Sequence, residues 1–144
     1  MEYLKSVVIL LVEDDPGDQK LTKKSLLEAK IVNEVAIAEN GEQALEYLEC
    51  SKNGDSKCPA PDLILLDLNM PGMGGKEFLK RVKSDENFGM IPVVVLTTSD
   101  LEHDIRESYK LHASGYIKKP VTIDGFQKMM QNLQEYWFSV CKRI

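Results

Sequence analysis

Leu63-Ile64-Leu65-Leu66-Asp67-Leu68-Asn69-Met70-Pro71-Gly72-Met73-Gly74-Gly75 decides how this chain is read. Four apolar residues run without alternation into one acid, and a turn rich in Pro and Gly follows at once. A short unbroken apolar run bounded by turn residues reads as a strand buried on both faces, hence a central strand of a parallel sheet. Asp67 then stands at the carboxyl end of that strand, the edge where open parallel α/β sheets bind ligands. An acid placed there is a candidate nucleophile or metal ligand. Taken alone it reads equally well as an Asp capping a turn.

The same signature recurs along the chain. Val7-Val8-Ile9-Leu10-Leu11-Val12 is a second continuous run, ending in Glu13-Asp14-Asp15 and then Pro16. Two unit charges about 4 Å apart repel by about 4 kcal/mol at an effective dielectric near 20. Three acids at a strand end therefore need an offset, and a divalent cation supplies one. Asp15 and Pro16 also read as the N-cap and first residue of a helix running to about Ala29, with Glu13 and Asp14 left to reach the site. Asn33 to Ala38 reads as a short strand near an edge, and Asn40-Gly41 as the start of a helix with Ala44, Leu45 and Leu48 on its apolar side. Residues 50–61 read as a long polar loop.

Beyond the Gly-rich turn, Phe78, Leu79 and Val82 mark a helix, and Val93-Val94-Val95-Leu96 is a third buried strand stopping at Thr97-Thr98-Ser99-Asp100. Ser99 or Asp100 caps a fourth helix to about Leu111. Its pattern, Leu101 and Ile105 with Tyr109 partly off the face, is the weakest of the five and suggests a helix loosely held. Gly115-Tyr116-Ile117 is a short strand leading to Lys118-Lys119-Pro120. Thr122 caps the last helix, whose stripe is Phe126, Met129, Met130, Leu133, Trp137 and Val140. Tyr136 and Phe138 fall off that stripe, which suits a partner or self-association surface, or an end helix tucked onto its own core. Strand and helix alternate five times. The expected fold is α/β: a five-stranded parallel sheet, flavodoxin-like and doubly wound, with strand order 2-1-3-4-5 and helices on both faces.

Composition narrows the function. A chain of 144 residues suits one domain, 1–144, with no output domain expected. Its net charge of −5 argues against a nucleic-acid partner. No apolar run approaches the roughly 18 residues of a membrane span, and Met1 to Ser6 lacks the basic region and cleavage site of a signal peptide. Cys50, Cys58 and Cys141 are an odd set without metal-like spacing, read here as reduced thiols of a cytoplasmic protein. A Cys50–Cys58 bridge across the loop is the alternative.

A parallel sheet would gather the strand ends at one edge. Strand one brings Glu13 and Asp14, strand three Asp67 with Asn69 just beyond, strand four Thr97, and strand five Lys119. Three carboxylates, a hydroxyl and an ammonium suit phosphoryl transfer to a carboxylate. Mg²⁺ prefers hard oxygen ligands, which Glu13, Asp14 and Asp67 can offer directly or through water, with the Asn69 backbone carbonyl as a further one. Asp67 would attack phosphorus, while Lys119 and Thr97 would meet the phosphoryl oxygens.

In Leu11-Val12-Glu13-Asp14-Asp15, in Asp67 and the Pro-Gly turn after it, in Leu96-Thr97 and in Tyr116-Ile117-Lys118-Lys119-Pro120, the chain resembles the receiver domains of two-component response regulators. The resemblance covers nearly the whole chain. It implies that Asp67 takes phosphate from the phosphohistidine of a sensor histidine kinase with Mg²⁺ as cofactor. It makes Glu13 and Asp14 the acidic pair, Thr97 the switch hydroxyl, Lys119 the family's lysine and Tyr116 the switch aromatic. Glu13 stands where many relatives have Asp, and its extra methylene favours a water-mediated metal contact. Such a protein is a phosphoacceptor that assists its own phosphoryl transfer and dephosphorylation rather than an enzyme, and it passes the signal to a downstream protein. A narrower resemblance lies in Glu-Asp-Asp-Pro-Gly-Asp at 13–18, the loop at 50–61, the Thr-Thr-Ser-Asp run and the aromatic tail. These are similar to the small regulators paired with bacterial phytochrome kinases, which implies a phytochrome-like kinase and a homodimer through helix four, strand five and helix five. Three other readings compete. One is a receiver-like interaction module that is not phosphorylated. Another is a haloacid-dehalogenase-like phosphatase, which would want an acid where Asn69 stands. The third is a flavodoxin-type FMN binder, whose Ser/Thr/Gly phosphate cradle the acidic turns do not provide.

Overall fold

In the computed structural model, which describes residues 7–27, 32–68, 73–97, 102–118, 124–125, 128 and 131–132, β1 (Val7–Val12) lies between β2 (Val32–Ala38) and β3 (Leu63–Leu66). β4 (Val93–Thr97) and β5 (Gly115–Lys118) complete a five-stranded sheet of order β2-β1-β3-β4-β5. Every pairing is parallel. The helices between the strands are α1 (Pro16–Leu27), α2 (Gly41–Lys52), α3 (Gly75–Ser84) and α4 (Glu102–Lys110). The expected fold class and strand order are both found.

The unbroken apolar runs have a direct cause. Successive strand residues point to opposite faces, and both faces are covered. Leu10, Val12, Ile64, Leu66, Val93 and Val95 join Ala44 and Leu48 of α2 and Phe78, Leu79 and Val82 of α3 in one core layer. Their neighbours Ile9, Leu11, Leu63, Leu65, Val94 and Leu96 join Leu26 of α1 in the other. Alternation would have left one face wet. The stripe proposed for the last helix, together with Thr122, Tyr136 and Phe138, lies outside the described residues, as do the proposed caps of α4.

Two expectations are corrected. α2 continues through Lys52, so the polar loop begins later than residue 50. Cys50 and Cys58 are joined by a disulfide rather than left as thiols. The cause is the longer helix: Cys50 sits on its last turns, and the backbone bonds from Asp55 N to Cys50 O and from Cys58 N to Asp55 O fold the chain back. The two Cα atoms come within 5.8 Å, inside the range a disulfide spans.

The loop is tied down a second time by Tyr47, whose hydroxyl donates to Pro59 O at 2.6 Å. Burial, with Glu34 as the lesser cause, pushes the phenol pKa up to about 12. Because the folded value lies above the ordinary 10.0, the stability this implies is present below pH 10.0 and lost as pH rises towards about 12. Tyr47→Phe should therefore lower stability by about 1 kcal/mol at neutral pH, the worth of one hydrogen bond. It should also flatten the alkaline limb. Urea denaturation across pH is the check.

Candidate functional site

The register of the sheet places the acids. Val12 of β1 pairs with Leu66 of β3, so the residues that follow, Glu13 and Asp67, come off adjacent strands side by side. The backbone ladder runs one step further for each: Glu13 N donates to Ala38 O at 2.9 Å and Asp67 N to Val12 O at 3.0 Å. Both acids are thus fixed by main chain before any side-chain contact is counted. Glu13 is 2% exposed and Asp67 7%, while Asp14 is half-buried. One carboxylate oxygen from each of Glu13, Asp14 and Asp67 lies within 4.8 Å of the others.

α1 begins against this cluster. Asp15 caps it as expected: its Oδ2 accepts from Asp18 N at 2.8 Å and its carbonyl from Gln19 N. Glu13 Oε2 accepts from Asp15 N at 3.2 Å, and Gln19 Nε2 donates to Glu13 O at 2.6 Å. The positive end of the helix dipole therefore faces Glu13 and Asp14 and offsets part of their repulsion. Gln19, a clamp on the Glu13 carbonyl, was not foreseen from the sequence, because nothing in a Gln on a first turn marks it.

α3 begins against the other side. A Cβ on Gly75 would sit 2.5 Å from Asp67 O and 2.6 Å from Leu68 Cα, so only glycine lets the helix start this close. Gly75 N donates to Leu68 O at 3.2 Å. Met73 N approaches both Glu42 carboxylate oxygens at 3.3 and 3.4 Å, which ties the same turn to the start of α2.

Thr97 closes β4, as expected, with Lys118 as its register partner. Tyr116 pairs with Val95, two residues before Thr97, and is partly buried against the α2–α3 core layer. Asn69 and Lys119 lie outside the described residues. The site's described acids thus converge, and its hydroxyl and aromatic candidates lie on the next two strands at the same end of the sheet.

Three carboxylates this close form a donor set for a hard divalent cation, since oxygen ligands and high negative charge are what such ions select. The sequence pattern of the response regulator receiver domain matches residues 9–131. The chain belongs to the response regulator receiver family. Response regulator Rcp1 from Synechocystis sp. is 39% identical over 130 residues, covering 90% of this chain and 88% of that protein. Chemotaxis protein CheY1 from Helicobacter pylori is 34% identical over 113 residues, 78% of this chain and 86% of the relative. Among solved structures, the phosphorylated cyanobacterial phytochrome response regulator RcpA superposes with a TM-score of 0.87 at 37% identity, over 96% of this chain and 98% of that one. The Mn²⁺-bound form of Rcp1 gives 0.85 at 37% identity, over 96% and 99%. The receiver fold and its place in two-component signalling are therefore those read from the strand ends. Among the described residues no helix is long and apolar enough to cross a membrane.

Crowding of like charge has a measurable consequence. Asp14→Asn should raise the stability of the metal-free receiver by about 1 kcal/mol, because one repulsive partner is gone. A divalent cation at millimolar concentration should raise the melting temperature of the wild type, and the same change should abolish that gain. Thermal melts with EDTA and with Mg²⁺ measure both.

Proposed function

We propose that Asp67 accepts a phosphoryl group from the phosphohistidine of a sensor histidine kinase, and that the modified receiver changes a protein-binding face. The observation carrying this reading is the carboxylate cluster itself: Glu13, Asp14 and Asp67 offering oxygens within 4.8 Å at the carboxyl edge of β1 and β3. An Asp67 oxygen bonds to phosphorus as the P–N bond of the phosphoimidazole breaks. The imidazole nitrogen keeps the electron pair and is later protonated, and the product is an acyl phosphate.

Glu13, Asp14, Asp67 and the Asn69 carbonyl would hold Mg²⁺, which when bound neutralises charge on the transferring oxygens. The remaining work falls to the chain. Burial of Glu13 and Asp67 keeps bulk water from the reacting carboxylate, and the main-chain bonds at 13 and 67 hold it in line. Lys119 balances one phosphoryl oxygen and the Thr97 hydroxyl donates to another. Thr97 drawn towards the phosphoryl group leaves room for Tyr116, and α4 follows. The face of α4, β5 and the last helix then meets a downstream protein or a second copy of the chain. The likeness to the cyanobacterial phytochrome response regulator RcpA supports a phytochrome-like kinase as the donor, and a receiver serving such a kinase would work in the cytoplasm.

Incubation with acetyl phosphate and Mg²⁺ should add one phosphoryl group to the wild type by mass spectrometry and none to Asp67→Asn. Beryllofluoride with Mg²⁺ should shift amide resonances across 102–117. A wild type that gains no phosphoryl group under these conditions contradicts the proposal.

A further inference from the structure

Among its described residues, α4 is held to the rest of the protein by little apolar contact. Among its described side chains only Ser108 is fully buried, Ile105 is half-buried and Tyr109 is 49% exposed. The Ser108 hydroxyl finds no hydrogen-bond partner, so the side chain that α4 sinks deepest carries an unmet polar group. α3, by contrast, inserts Phe78, Leu79 and Val82. Hydrophobic adhesion therefore fixes α3 firmly and α4 weakly.

Polar contact takes over where apolar contact is missing. Lys76, in the first turn of α3, places Nζ 2.6 Å from Asp104 Oδ1 and 2.9 Å from Glu107 Oε1 of α4. Asp104 is only 16% exposed at its side chain, so this contact is screened less than an open surface pair. The hydrogen bond to Asp104, then that to Glu107, holds the Lys76 ammonium above its ordinary pKa. Asp104 and Glu107 lie one helical turn apart and would repel each other without a shared cation. Lys76 also follows Gly75, whose N donates to Leu68 O and where an added Cβ would run into Asp67 O. One turn of α3 thus touches the Asp67 peptide and grips α4.

We propose that Lys76 is a positioning residue, a polar strap that keeps α4 in its resting place until Asp67 is modified. The proposal rests on the reading of Asp67 as phosphoacceptor. An ion triad suits the task because its charges can be returned to water when the helix moves, whereas a packed apolar seam would oppose every shift.

Amide hydrogen exchange along α4 tests it, with and without beryllofluoride and Mg²⁺. In Lys76→Met without beryllofluoride, exchange over 102–110 should run about fivefold faster than in the wild type, the factor expected for losing a partly buried ion pair. Exchange in α3 should stay unchanged, and added beryllofluoride should accelerate α4 little further. Lys76→Arg should restore the wild-type pattern. Asp104→Asn should resemble Lys76→Met, and the double variant should be no faster than either. Wild-type exchange in α4 of Lys76→Met, or a double variant whose effects simply add, overturns the strap. A wild type indifferent to beryllofluoride overturns the phosphoacceptor reading and the link to Asp67, and the variants without beryllofluoride then decide the strap alone.

Discussion

Electrostatic repulsion among Glu13, Asp14 and Asp67 is the constraint around which the upper edge of the sheet is built. Two of these carboxylates are almost wholly withdrawn from water, and burial of like charges is costly unless dipoles or cations face them. The protein answers partly with its own backbone: α1 starts with its positive end towards Glu13, and main-chain bonds fix both strand ends. A divalent cation completes the compensation. Under the function proposed above, the same ion would prepare one carboxylate to receive a phosphoryl group, so the repulsion that burdens the metal-free protein would serve its chemistry.

Everything else at this edge serves to hold the cluster still. β1 and β3 are central strands with apolar residues on both faces, so they cannot shift without opening two cores at once. Gly75 lets α3 press against the Asp67 peptide from one side, and Asp15 and Gln19 anchor α1 on the other. Rigidity then falls away towards α4, which lacks a buried apolar side chain among its described residues. The acidic cluster is thus held more firmly than the described part of α4.

The parts legible in the sequence are those set by burial on both faces or by chain direction. Leu63–Leu66 and Val7–Val12 announce central parallel strands because no solvent-facing position interrupts them, and parallel strands must bring their ends to one edge. Asp15 before Pro16 announces the start of α1 because capping is local. What escaped depended on distance in the chain or on where an element stops. The Cys50–Cys58 bridge stood only as an alternative in the sequence, because it closes from an α2 that persists to Lys52 and end positions are weakly encoded. The grip of Lys76 on Asp104 joins residues far apart in sequence, so no local pattern signals it. In the sequence Gly75 is one glycine of a Gly-rich turn, and only the close approach to Asp67 shows that no side chain fits there.

Paramagnetic broadening by Mn²⁺ locates the cation most directly. Substoichiometric Mn²⁺ added to isotopically labelled protein should first erase the amide signals of residues 12–15 and 66–68 and spare those of the distant loop around the disulfide. Glu42, Glu46 and Glu49, exposed along α2, provide a rival acidic surface in the same molecule. Broadening that begins on α2, or that spreads evenly over the acidic surface, would contradict a cation held among Glu13, Asp14 and Asp67.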